Sequence, residues 1–205
     1  MNTLVVNVLR VLTVFMRSRL TVSLTLFNTK GTKMKVCKQF SFDASHQLVG
    51  HFGKCSNLHG HTYKVELAFT GPLHTEGSSE GMVVDFYHVK KYAGDIIDRL
   101  DHATLLRGNE PIALANAVST KRVIFGFRTT AENMSKFLAW YLGKALQPYA
   151  RLDFVRLWET PTGYAESDYY EIFTDEEVEQ YYQVRFYDKH GYITVKELLE
   201  NAKSV

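Results

Sequence analysis

Apolar and polar positions alternate early in this chain. Val36, Lys38, Phe40, Phe42, Ala44 and His46 share one parity, which predicts a strand with one face toward a core. "GHFGKCSN" follows and reads as a glycine-punctuated loop. Thr62 to Thr70 alternates again, with Tyr63, Val65, Leu67 and Phe69 on one side. After the polar connection "GPLHTEGSSEG" the period changes. Asp85 is placed as an N-cap, and Val89, Tyr92, Ala93, Ile96, Ile97 and Leu100 form an apolar stripe on a helix over 86–99. A second helix is predicted over 131–146, striped by Met134, Phe137, Leu138 and Tyr141. Between them, 111–117 reads as helical and 122–127 as extended. Strands follow over 153–159 and from Tyr164 onward, joined by the turn "TPTG". The tail from Thr174 reads as two helical pieces around "VRFYDKHGYI". The order is strand, strand, helix, helix, strand, strand. It predicts an α+β domain whose antiparallel sheet is covered on one face.

The first 33 residues break this pattern. They hold no Asp or Glu but carry Arg10, Arg17, Arg19, Lys30 and Lys33. Arginines interrupt every apolar run before the ~18 residues a membrane span requires. The segment reads as an N-terminal extension, either upstream sequence or a targeting segment. The domain is expected to start at Met34, occupy 34–173 and carry a C-terminal extension over 174–205. A net charge of +2 gives no argument for a nucleic-acid or membrane partner. Cys37 and Cys55 make no disulfide framework, so each thiol needs its own explanation.

Four of the eight histidines fall between Phe42 and Leu67. His59 and His61, two apart on a strand, point to the same side. His46 ends the preceding strand and can complete a set of three nitrogens. Three imidazoles with one open position suit a catalytic zinc. His51 competes for the third place, but a strand end is better fixed than a glycine-flanked loop. Cys55 is open to three readings: a fourth ligand, a thiolate that moves protons beside the metal, or an ordinary loop cysteine. Asp101 and His102, just past a helix, form either an oriented dyad or a helix-end histidine favoured by the dipole. Glu159, ending an apolar strand, can accept a pair of hydrogen bonds from an amidine-like edge, or simply be solvated.

"FSFDASHQL", "CSNLHGHTYKVEL", "GMVVDFYHVK", "LDHATLL", "TAENMSKFL" and "VRLWETPTGYAE" stand in this order. From Met34 to Glu166 the chain resembles the 6-pyruvoyltetrahydropterin synthase / 6-carboxytetrahydropterin synthase family. The resemblance implies the tunnelling fold: a four-stranded antiparallel sheet with two helices on one face. It also implies assembly into a homohexamer, a dimer of trimers, with active sites between subunits. The location is expected to be cytoplasmic, since two cysteines without a disulfide framework suit a reducing compartment. It implies zinc on His46, His59 and His61, and Cys55 as a catalytic proton-transfer group with Asp101 and His102 as its partner dyad. Glu159 would anchor the pterin, and Thr130 and Glu132 would line its pocket. The short spacing in "CSNLHGH" resembles the 6-carboxy branch. That branch acts on 7,8-dihydroneopterin triphosphate in 7-deazaguanine and queuosine synthesis. The pyruvoyl branch, or another pterin-specific lyase, is the alternative.

The chain also departs from the family. Thr129 stands where the family usually has Pro, the Asn usual after "LDH" is missing, and the 102–130 segment and the tail after Tyr169 are longer.

Overall fold

The two alternating runs form a long antiparallel hairpin of β1 (Met34–His46) and β2 (His59–Gly71), with His46 paired to His59 at its closed end. This is a computed structural model, and it describes residues 33–108, 119–169 and 173–203. The expected extension over 1–33 and the helix expected over 111–117 therefore lie almost wholly outside the described residues. α1 (Phe86–Leu100) starts at Asp85, whose carboxylate accepts from the Tyr87 N–H. α2 (Ala131–Leu146) is capped by Thr130, which accepts from the Asn133 N–H. β5 (Leu152–Thr160) and β6 (Gly163–Asp168) form the second hairpin, and β5 pairs with β2.

The six predicted stripe residues of α1 are all buried, packed with α2 over one face of the sheet. Phe42, Tyr63, Val65, Leu67, Val155 and Leu157 meet them from the strands. Full burial of one such aliphatic side chain stabilises by about 1.5–3 kcal/mol, so this interface is a large share of the fold. The opposite face is polar. Gln39, Glu66, Arg156 and Glu166 lie in one row across four strands. They are linked side chain to side chain, with Arg156 between the two glutamates.

The expectation of a four-stranded antiparallel sheet is corrected by an eight-stranded mixed sheet, in the order β6-β5-β2-β1-β3-β4-β7-β8. β3 (Ala103–Arg107) runs parallel to the end of β1, and β4 (Arg122–Phe125) runs parallel to β3. β7 (Arg185–Asp188) and β8 (Gly191–Thr194) are the extended middle of the tail. The helical pieces around them are α3 (Asp175–Tyr182) and α4 (Val195–Lys203). β7 pairs with β4, so the tail lengthens the sheet. Tyr181 of α3 packs against Phe127, Phe137 and Trp140, and Lys136 of α2 pairs with Glu177 at 2.6 Å. No described helix is long and apolar enough to cross a membrane.

Candidate metal centre and active site

Strand parity delivers three histidines to one point. The register sets Ala44 opposite His61 and His46 opposite His59, all on the helix-covered side of the sheet. One ring nitrogen from each of His46, His59 and His61 falls within 4.8 Å of the others. His51 is not in this group; its Nδ1 accepts from the Gly53 N–H and its ring stacks on Phe52. Cys55 is not in it either.

The hydrogen bonds around the rings decide what their inner nitrogens offer. His46 Nδ1 lies 2.9 Å from the Thr129 carbonyl, and His59 Nδ1 lies 2.7 Å from the Asn57 carbonyl. A carbonyl only accepts, so each Nδ1 carries a proton, which leaves Nε2 as the ring nitrogen through which either imidazole can bind a metal. Those two Nε2 atoms face each other at 3.2 Å. Glu159 Oε1 adds a third acceptor, 3.5 Å from His46 Nε2. His61 Nε2 is buried with no protein partner. Burial, then repulsion from His59 and His61, pushes the His46 imidazole down to about 4, against the pull of its bond to Thr129. A neutral ring there cannot form an ion pair with Glu159. Three ring nitrogens converging on one point, two of them on rings whose Nδ1 protons are turned outward onto carbonyls, fit a divalent cation, and imidazole suits zinc.

Tyr63 continues the same parity and packs edge-on against His46 and His61. Its hydroxyl is buried and unpartnered, and burial followed by the nearby Glu159 charge pushes it well above the usual phenol range. Thr130 and Glu132 sit at the start of α2. Thr130 is the cap, immediately after the residue whose carbonyl fixes His46, and Glu132 is in the first turn.

Cys55 lies in a one-turn 3₁₀ helix, Lys54–Ser56, half-buried. The loop carrying it is closed at its base by Leu48 N–H to Cys55 O at 2.8 Å and Gln47 Nε2 to Ser56 O at 2.6 Å. Asp101 ends α1 and meets His102 Nδ1 at 2.7 Å. The backbone of Asp43 grips both: its N–H donates to Asp101 Oδ1, and its carbonyl accepts from His102 N–H at 2.6 Å. His102 takes a φ of 56°, unusual for a residue with a Cβ. Asp101 is held below the usual carboxylate range, first by the Asp43 N–H and then by His102, against the opposing cost of burial. With Asp43, Ser45, His61, Thr62 and Thr104, His102 lines a concavity of about 420 Å³. Asp43, Ser45 and Thr62 have the parity of the uncovered face, whereas His61 has the parity of the covered one.

Two features of the site lie beyond what the sequence shows. Thr129 stands out in the sequence only as a departure from the family, yet its carbonyl orients His46. Glu159 is expected at the pterin edge, and it also stands beside a metal-ligand candidate. The pairing of β2 with β5 carries Glu159 to the histidine end of the sheet, and no short-range pattern encodes that pairing.

The folded unit is thus an α+β domain with a metal-competent histidine cluster at one end of its main sheet. The chain belongs to the 6-pyruvoyl tetrahydropterin synthase family, a family of lyases, whose model matches residues 35–169. It is 39% identical over 138 residues to a Haemophilus influenzae protein named 6-carboxy-5,6,7,8-tetrahydropterin synthase, covering 64% of this chain and 96% of that one. An Aquifex aeolicus protein of the same name is 30% identical over 160 residues, covering 65% and 97%. Among solved structures, an uncharacterized protein from Wolinella succinogenes superposes with a TM-score of 0.56 at 20% identity, covering 67% of this chain and 99% of that one. The Caenorhabditis elegans 6-pyruvoyl tetrahydropterin synthase gives 0.50 at 21% identity, covering 68% and 98%. At these identities the structural likeness speaks for the fold.

Proposed function

We propose that this chain is a zinc-dependent 6-carboxy-5,6,7,8-tetrahydropterin synthase acting in the cytoplasm. It would convert 7,8-dihydroneopterin triphosphate and one water to 6-carboxytetrahydropterin, acetaldehyde and triphosphate, toward 7-deazaguanine and queuosine. The observation that carries the metal-dependent reading is the convergence of one ring nitrogen from each of His46, His59 and His61 on one point, with the Nδ1 atoms of His46 and His59 turned outward onto carbonyls. The names of the relatives in Haemophilus influenzae and Aquifex aeolicus favour the 6-carboxy reaction.

His46, His59 and His61 would hold the zinc, which when bound supplies a Lewis acid for the substrate's side-chain oxygens. Glu159 holds the pterin edge by paired hydrogen bonds and so fixes the ring for reaction. Thr130 and Glu132 line the pocket at the start of α2. Cys55 moves a proton on one side of the substrate side chain. His102 moves one on the other, its Nδ1 proton held by Asp101 so that Nε2 is the atom that exchanges. The working form is a homohexamer, a dimer of trimers, as the family resemblance implies, in which one subunit's dyad serves another's metal site. Residues 34–173 then form the catalytic part and 174–205 a C-terminal extension built onto its sheet.

The test is incubation of zinc-loaded protein with 7,8-dihydroneopterin triphosphate. Acetaldehyde equal to the 6-carboxy product is expected, and Cys55→Ala should abolish it while keeping zinc. A pyruvoyl product without acetaldehyde would move the chain to the other branch. No pterin turnover with zinc bound would sink the proposal.

A further inference from the structure

One three-residue segment ties together parts of the site that are distant in sequence. The Thr129 carbonyl holds His46, and Thr130 caps α2. Arg128 reaches the other way. Its Nη2 donates to the Leu48 carbonyl at 3.3 Å and to the Val49 carbonyl at 3.2 Å. Its own carbonyl is held by Asn133 Nδ2 at 3.0 Å and by Thr130 N–H at 2.9 Å, so the arginine projects from the fixed start of α2. Leu48 is also the residue whose N–H closes the loop onto Cys55.

We infer that Arg128 is a positioning residue that clasps the Cys55 loop to the segment orienting the metal ligand His46. The loop's other hydrogen bonds, among them those from Leu48 N–H to Cys55 O, from Gln47 Nε2 to Ser56 O and from His51 N–H to Leu48 O, run within the loop and its base, whereas Arg128 ties it to the start of α2. Val49 is 48% exposed, Phe52 at its tip is 99% exposed, and Gly50 takes a left-handed φ of 77°. Hydrogen bonds from a charged donor to backbone carbonyls are among the stronger ones available at a half-exposed site. A guanidinium can bridge two successive carbonyls, whereas an ammonium is a single point of charge. The strand-end ligand and the loop cysteine are thereby referred to one anchor.

The inference rests on the reading of Cys55 as a proton-transfer group, and its test separates the two. The background is Cys37→Ser, which removes the other thiol, an exposed one on β1. Arg128→Ala, Arg128→Lys and the milder Arg128→Gln are compared for Cys55 alkylation by iodoacetamide, zinc content, melting temperature, and kcat and KM on 7,8-dihydroneopterin triphosphate. In Arg128→Ala, alkylation should accelerate about tenfold, the ratio that about 1.4 kcal/mol sets for loop opening. Zinc should stay stoichiometric and kcat should fall with little change in KM. Arg128→Lys should recover part of both effects. If Arg128→Ala fails to fold, Arg128→Gln carries the same expectation. An alkylation rate unchanged in a folded variant overturns the clasp, whatever happens to kcat. Faster alkylation with unchanged kcat keeps the clasp and removes Cys55 from the reaction.

Discussion

Withdrawing the metal should cost the fold as well as the reaction. A ligand that binds only the folded state stabilises it by about 4.1 kcal/mol when present at a thousandfold excess over its dissociation constant. In a domain of this size about 1 kcal/mol moves the melting temperature by roughly 2–4 °C. Chelation of zinc-loaded protein should therefore lower the melting temperature by about 8–16 °C. Part of that binding free energy is relief of the bare site, where His46 Nε2 faces His59 at 3.2 Å and Glu159 at 3.5 Å. A buried polar atom in that condition costs about 1–3 kcal/mol. The assay is differential scanning fluorimetry before and after chelation, with zinc counted by elemental analysis. His59→Ala should hold no zinc, and chelator should leave its melting temperature unchanged. The reasoning fails if removal of stoichiometric zinc leaves the wild-type transition where it was, or if His59→Ala retains one zinc per chain.

Two glycines in helices should respond in opposite directions. A Cβ added at Gly94 on α1 would meet nothing within 4 Å, so Gly94→Ala should stabilise by roughly 0.5–1 kcal/mol in urea denaturation. A Cβ added at Gly143 on α2 would run into the Tyr169 ring, so Gly143→Ala should destabilise by about 1–3 kcal/mol. Asp101 titrates below its ordinary value in the folded chain, so its contribution is present above that ordinary value and disappears as pH falls through the folded one. The stability gap between wild type and Asp101→Asn should be open at about pH 6 and should narrow as the pH falls below the ordinary carboxylate range; a constant gap would show that the carboxylate carries none of it. Glu159→Gln should weaken pterin affinity in equilibrium binding, and unchanged affinity would take the side chain out of the anchoring role.

The main layers are legible in the sequence because their signals are local. The stripe from Val89 to Leu100 and the alternation from Val36 to His46 fix a period and a buried face without reference to anything distant. The pair of histidines at 59 and 61 is legible for the same reason: i and i+2 on a strand share a side, whatever the strand pairs with. β3 is not. "ATLLR" is a short continuous apolar run whose first four residues are buried, and such a run carries no period that separates strand from loop or helix. Its parallel pairing to β1 is a long-range fact. The tail is opaque for a related reason: "VRFYDKHGYI" has the look of a connection between helices, and its role as a hairpin depends on β4 offering an edge.

That edge bears on any attempt to trim this chain to the length of its relatives. The family-matching segment ends at residue 169. A version cut there would lose Tyr181, Val184, Phe186, Val195, Leu198 and Leu199, all of them buried. Phe127, Phe137 and Trp140 would lose the aromatic partner that Tyr181 gives them. It would also bare the hydrogen-bonding groups of β4 along an apolar strand, the arrangement most prone to pair with stray chains. The tail is the wall that lets this sheet end in a short, turned-back β8 rather than in an adhesive margin. A minimal enzyme designed by homology would dismantle it.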